Sequence, residues 1–123
     1  MNAPFSIKKL IKSFGYAFSG LKAAIRSEQN FRVHLFSACV AIALGVFLHI
    51  SSMEFVIIII CIGIVMAAEL MNTTIEKLCD FISPQYHERI KIIKDLAAAA
   101  VLLVAIAALI VGLIIFLPRI FSI

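Results

Sequence analysis

Glu69, Asn72, Glu76 and Asp80 stand at offsets of 0, 3, 7 and 11 along one stretch of the chain. On an α-helix, at ~100° per residue, these positions fall within roughly 80° of one another, so three carboxylates and an amide share one face. Carboxylates so spaced can hold a hard divalent cation such as Mg2+, which prefers oxygen ligands and shares them with phosphates. A carboxylate left free of metal can act as a general base toward a hydroxyl. Lys94 and Asp95 follow after a break at Ser83-Pro84, and Lys94 can neutralise phosphate charge. The plainer reading is a solvated polar face on a helix leaving a membrane, and it serves for Asp80 and Glu88. It serves Glu69 less well, because the apolar run Phe55 to Ala68 before it and Leu70-Met71 after it set that carboxylate at lipid depth.

The elements that position this stripe follow from composition. The 123 residues, enough for one domain (1–123), are 63% hydrophobic and 15% charged, with a mean hydropathy of +1.13. A soluble domain of this size has too little interior to hide so much apolar surface, so lipid must solvate most of it. Residues 5–27 read as an amphipathic helix, with Phe5, Leu10, Phe14, Phe18, Leu21 and Ile25 along one stripe and Lys8, Lys9, Lys12, Lys22 and Arg26 elsewhere. Pro4 suits its first turn. A basic helix of this kind lies in the membrane interface. Three spans follow, at 31–50, 54–72 and 96–117; the helical pattern of the second continues to about Asp80, and 77–95 forms a cytoplasmic segment. The third span has no polar side chain and, at ~1.5 Å per residue, reaches ~33 Å, enough for a ~30 Å hydrocarbon core. Pro118 is expected to stop it. The fold class is therefore all-α integral membrane, with an N-terminal surface helix and three transmembrane helices. A single copy would present Glu69 and Asn72 to lipid, so an oligomer is expected to cover them.

Other classes recede. The net charge of +4 comes from basic residues flanking apolar runs, which points to anionic headgroups and not to nucleic acid. Cys39, Cys61 and Cys79 lack metal-site spacing and are odd in number, so they read as small packing residues. No signal peptide is expected in residues 1–30, which lack an apolar core with a cleavage site. His34 and His49 read as interfacial residues. No GxxxxGK[ST] loop, Gly-rich kinase loop, HRD or DFG segment occurs, so phosphoryl transfer here needs a site unlike those of soluble kinases. A non-enzymatic small membrane protein, with a polar stripe lining an oligomer interface, is the competing reading. It gives no task to the basic helix, Glu28 or the Lys94-Asp95 pair.

The segment Glu69-Leu70-Met71-Asn72-Thr73-Thr74-Ile75-Glu76-Lys77-Leu78-Cys79-Asp80 resembles the ExxN[ST]xIExxxD signature of the prokaryotic diacylglycerol kinase family, which includes undecaprenol kinases. Gly20-Leu21, Ala24, Glu28, Phe31-Arg32, Tyr86-His87 and Lys94-Asp95 match in order and spacing, so the resemblance covers nearly the whole chain. It implies an ATP- and Mg2+-dependent lipid kinase of the inner (cytoplasmic) membrane, working as a homotrimer with sites shared between subunits. By motif match Glu69 would be the base, Glu28 and Glu76 would hold the metal, and Asn72 and Asp80 would support that cluster. Tyr16, Gln85, Tyr86, His87, Lys94 and Asp95 would join Glu28 and Glu76 around the nucleotide. Ala23, Ala24, Phe31, Arg32 and Ala98 would line the lipid slot beside Glu69, with Lys9 and Lys12 near the headgroup. Lys9 stands where the diacylglycerol branch tends to have arginine, and so loses a bidentate fork. The run Asn30-Phe31-Arg32-Val33-His34 and the ending Ile115-Phe116-Leu117-Pro118 look more like the undecaprenol branch than the diacylglycerol branch.

Orientation follows from Lys and Arg placement. With the N-terminus inside, Lys8, Lys9, Lys12, Lys22, Arg26, Arg32, Lys77, Arg89, Lys91 and Lys94 are cytoplasmic and only Arg119 lies outside, with Ile123. In a background lacking the native cysteines, an impermeant thiol reagent added from outside should label Ser52→Cys and spare Ser83→Cys. The reverse pattern would overturn the arrangement.

Overall fold

The structure, a computed structural model, describes residues 4–121; Ile123, expected outside, lies beyond the described residues. Four helices make up the chain: α1 (Ile7–Ser27), α2 (Gln29–Phe47), α3 (Ser52–Ile82) and α4 (Glu88–Phe121). The last three are long and apolar enough to cross a membrane. α3 packs against both α2 and α4, and α1 packs against α2.

Each boundary has a local cause. The Ser6 hydroxyl accepts from the Lys9 N–H and starts α1, which leaves Pro4 ahead of the helix and not in its first turn. Glu28, at φ −114° and ψ 110°, is the single extended residue that separates α1 from α2. Its N–H donates to Ala24 O at 2.9 Å, and Arg32 Nη1 donates to the carbonyls of Ile25 and Arg26 at 2.9 and 3.0 Å. The carbonyls of Ala24, Ile25 and Arg26 at the end of α1 are thereby satisfied.

The α2–α3 turn is built the same way. Ile50 N–H donates to Gly45 O and His49 N–H to Val46 O, the paired bonds of a Schellman cap, with His49 in the left-handed region at φ 56°. Gly45 is buried where the two helices meet, and a Cβ there would come within 2.9 Å of both Ile50 Cδ1 and Phe55 Cε1. Ser51 and Glu54 then form a capping box that starts α3. Ile50, Ile58, Ile115 and Phe116 form a buried cluster at this end, with Leu44, Phe55 and Val111 packed around it.

Pro118 does not stop α4, which continues to Phe121. A proline so near a helix end costs little, because the only hydrogen bond it removes belongs to the last turns. Arg119, one residue on, donates to His49 O at 3.0 Å and pairs with Glu54, which ties the end of α4 to the α2–α3 turn.

The strain at His49 generates a stability prediction. A non-glycine residue in the left-handed region costs ~1–2 kcal/mol, partly offset by the chain entropy that glycine loses on folding. His49→Gly should therefore stabilise the protein by ~0.5–1 kcal/mol, and His49→Val should destabilise it. Thermal unfolding in detergent, followed by circular dichroism, reads both signs.

Candidate active site

Glu69 lies on α3 with only 2% of its surface exposed, and Asn72, one turn further along, has 6% exposed. The expectation that a single copy presents both to lipid is therefore not met. The chain's own packing buries them, so their cover requires no neighbour. His34 Nε2 on α2 is 3.7 Å from Glu69 Oε2, and Lys77 Nζ is 3.9 Å from Glu28 Oε2. The end of α1, the start of α2 and the second half of α3 thus come together around Glu69.

Asn72 shows what this cluster can hold. Its Nδ2 donates to Glu76 Oε1 at 3.0 Å, while its Oδ1 is buried with no partner among the described residues. The opposite amide orientation would set oxygen against carboxylate, so Glu76 fixes the arrangement. A buried acceptor without a donor is costly unless something supplies positive charge. Glu28, although it precedes α2, makes no capping bond with its side chain. Its carboxylate, that of Glu76 and the Asn72 oxygen are all oxygen donors, the kind that a hard divalent cation takes. Among the described residues no group of three or more His, Cys, Asp or Glu could hold a metal by itself. A cation here would complete its shell with water or phosphate, as Mg2+ commonly does.

The other expected residues divide by location. Lys94 Nζ pairs with Asp80 Oδ1 across α3 and α4, and Lys91 Nζ bonds Asp95 Oδ2 at 2.6 Å within α4. Tyr16 and Tyr86 are 73% and 80% exposed, which leaves both rings open to a partner. Gln85 is exposed, with its carbonyl accepting from the Ser83 hydroxyl, and His87 Nδ1 accepts from the Arg89 N–H at the start of α4. Ala24 and Phe31 are buried near the α1–α2 junction, whereas Lys9, Lys12 and Ala23 are exposed on α1. Arg32 is taken up by the α1 carbonyls. Ala98 is exposed on α4, which packs mainly on α3, so the chain does not bring it to the Ala23–Ala24 face. A hollow of about 560 Å3 between α1 and α3 is lined by Ala17, Gly20, Ala24 and Ser27 on one side and Thr73 and Lys77 on the other.

His34 is the residue that sequence reasoning set aside. Antiparallel spans place the start of α2 beside the far part of α3, and matching the two depths would have paired His34 with Glu69.

Comparison with known proteins gives this geometry its context. The family model for prokaryotic diacylglycerol kinase matches residues 15–116. An undecaprenol kinase of Bacillus subtilis is 38% identical over 113 residues, 92% of each chain. A diacylglycerol kinase of Synechocystis is 40% identical over 114 residues, 92% of this chain and 65% of the relative. A diacylglycerol kinase of Escherichia coli is 34% identical over 102 residues, 83% of this chain and 84% of the relative. The match spans the α1–α2 junction, the acidic face of α3 and most of α4, and the chain belongs to the prokaryotic diacylglycerol kinase family as a multi-pass membrane lipid kinase.

Proposed function

We propose that the chain transfers the γ-phosphoryl group of ATP, with Mg2+, to the hydroxyl of a membrane lipid at the cytoplasmic interface of the inner membrane. Undecaprenol is the favoured acceptor and diacylglycerol the alternative. The observation that carries the reading is the buried Glu69 carboxylate on the face of α3 that also carries Glu76 and the buried Asn72, whose oxygen has no partner among the described residues. α1 lies in the interface with its apolar stripe toward lipid, which suits its many exposed apolar side chains.

The roles follow from depth. Glu69 and Glu76 are seven residues apart, ~10 Å along the helix axis. The nucleotide is held at the water side, and the acceptor hydroxyl reaches up from the bilayer. Glu28 and Glu76 would hold Mg2+, which would supply positive charge against the phosphates. Asn72 keeps the Glu76 carboxylate aimed. Lys94 lends positive charge near the phosphates, Asp80 positions it, and Tyr16, Gln85, Tyr86, His87 and Asp95 contact the nucleotide. Lys9 and Lys12 lie near the headgroup, and Ala23, Ala24, Phe31, Arg32 and Ala98 border the acceptor. Glu69 accepts the hydroxyl proton as the lipid oxygen attacks phosphorus. The working unit is a homotrimer with shared sites, an arrangement that lets Ala98 of one copy meet the α1 face of another.

Purified protein in mixed micelles, given labelled ATP with both lipids side by side, should phosphorylate undecaprenol faster. Glu69→Gln should keep Mg·ATP binding while turnover falls by ~10²–10⁴-fold, the usual contribution of a general base. Turnover above a tenth of wild type would remove Glu69 from that role, and lost nucleotide binding would move it to the metal site.

The metal assignment has its own readout. Glu76→Gln keeps the shape but removes a charge, so nucleotide affinity should drop and excess Mg2+ should partly restore it. Unchanged Mg2+ dependence in both Glu28→Gln and Glu76→Gln would refute the pairing.

A further inference from the structure

Four polar side chains line the hollow between α1 and α3, and three of them are already engaged. The Ser27 hydroxyl donates to Ala23 O and the Thr74 hydroxyl to Leu70 O, both at 2.8 Å. Each is the usual bond from a helical hydroxyl back to the carbonyl four residues earlier. The Lys77 ammonium lies 3.9 Å from the Glu28 carboxylate. Thr73 differs. Only 7% of its surface is exposed, and its hydroxyl makes no hydrogen bond to another described residue. The carbonyl it forgoes, four residues back, is that of Glu69.

A hydroxyl so enclosed is disfavoured without a partner, and the walls around it supply none. They are otherwise small and apolar, with Ala17, Gly20 and Ala24 on α1 facing Leu70 on α3. A Cβ added at Gly20 would meet nothing within 4 Å, so the space stands open to a guest. Such a guest needs one polar atom on an apolar body, which describes a lipid alcohol. Thr73 follows Glu69 by four residues, which sets both on one face of α3 with Cβ atoms ~5–6 Å apart. An alcohol oxygen held by Thr73 is then one helical turn from the Glu69 carboxylate. We infer that Thr73 holds the acceptor: its O–H donates to one lone pair of the lipid hydroxyl oxygen. The lipid's own proton is thereby directed to Glu69, and the second lone pair is left for phosphorus. As the new O–P bond forms, the bond from the γ-phosphorus to the β-phosphate oxygen breaks and ADP leaves. The lipid proton passes to Glu69, and Thr73 keeps its own. The inference rests on the reading of Glu69 as the base toward a lipid hydroxyl.

Three variants test it in mixed micelles. Thr73→Val removes the hydroxyl and keeps the branched shape, Thr73→Ala removes it by truncation, and Thr73→Ser retains it. Loss of one neutral hydrogen bond should lower kcat/KM for the lipid by ~3–10-fold in the first two, with the KM for Mg·ATP unchanged. Thr73→Ser should recover most of that loss. A second readout uses the methyl ether of the acceptor alcohol, whose oxygen accepts a hydrogen bond but has no proton to lose. Its inhibition should weaken ~3–10-fold in Thr73→Val and Thr73→Ala, while the parent hydrocarbon should inhibit every variant alike. Unchanged ether inhibition in both hydroxyl-free variants would overturn the inference, as would a Thr73→Ser variant as impaired as Thr73→Val. Loss of Mg·ATP binding in all three would make the residue structural and also overturn it. Glu69→Gln separates this inference from the reading beneath it. If Glu69→Gln is inactive while ether inhibition ignores Thr73, only the Thr73 role falls. An active Glu69→Gln removes the base, and with it the direction given to the lipid proton.

Discussion

A carboxylate carried on an apolar helix sets the terms for everything around it. Lipid offers no water to solvate the charge, so protein must answer it, and must do so without a conventional soluble core. Glu69 is answered by α2, which brings His34 alongside it. α2 can do so only because Glu28 breaks the chain in one extended residue and turns it from α1 into the bundle. That break in turn depends on Arg32, whose guanidinium satisfies the α1 carbonyls the turn would otherwise strand. The acidic motif and the cap four residues after Glu28 are therefore parts of one construction.

The two ends of the bundle are made for different purposes. At the α2–α3 turn, the Schellman cap, the Gly45 contact, the Ile50–Phe116 cluster and Arg119 bind three helices closely. At the acidic end, helices run on past what a membrane requires. α3 has 31 residues and α4 has 34, or ~46 and ~51 Å against a hydrocarbon core of ~30 Å. The surplus carries Glu76, Asp80, Lys91, Lys94 and Asp95, and the hollow between α1 and α3 opens beside it. Tight packing at one end fixes the axes of the helices, and their overhanging ends are then free to surround a ligand.

The apolar runs and the 3.6-residue period made four helices and the acidic stripe legible from residue types alone, because both are properties of one helix at a time. Features that depend on two helices were not. Burial of Glu69 and Asn72 within a single copy depends on how closely α2 comes to α3, and a helical wheel gives depth and direction but no cover. The His34–Glu69 pair was missed for the same reason. Pro118 failed as a stop signal because its consequence depends on what lies next: a last turn held by Arg119 against Glu54 and His49 continues through a proline. Ser6 displaced Pro4 as the start of α1 for a local reason, since a side-chain acceptor satisfies an N–H that proline merely lacks.

The relatives bear names for two acceptors, and the chemistry of transfer cannot choose between them, since on the proposed reading each would present a hydroxyl to the same carboxylate. Choice must come from the rest of the lipid. A diacylglycerol carries ester carbonyls that seek donors, whereas a polyprenol has no polar group besides its hydroxyl. Sites built to hydrogen-bond a substrate reject an analogue lacking the partner group strongly, whereas apolar sites discriminate weakly, by ~1–3 kcal/mol per methylene. Of the residues proposed around the acceptor, Ala23, Ala24, Phe31 and Ala98 have no side-chain donor, and Arg32, the one donor beside them, is already bound to Ile25 and Arg26. Lys9 and Lys12 remain, but both are exposed on α1 and carry compact charges without the planar fork of arginine. On the proposed reading, a slot with few free donors, Thr73 and Lys77 of the hollow between α1 and α3 among them, accommodates a long hydrocarbon alcohol at less cost than a glycerolipid.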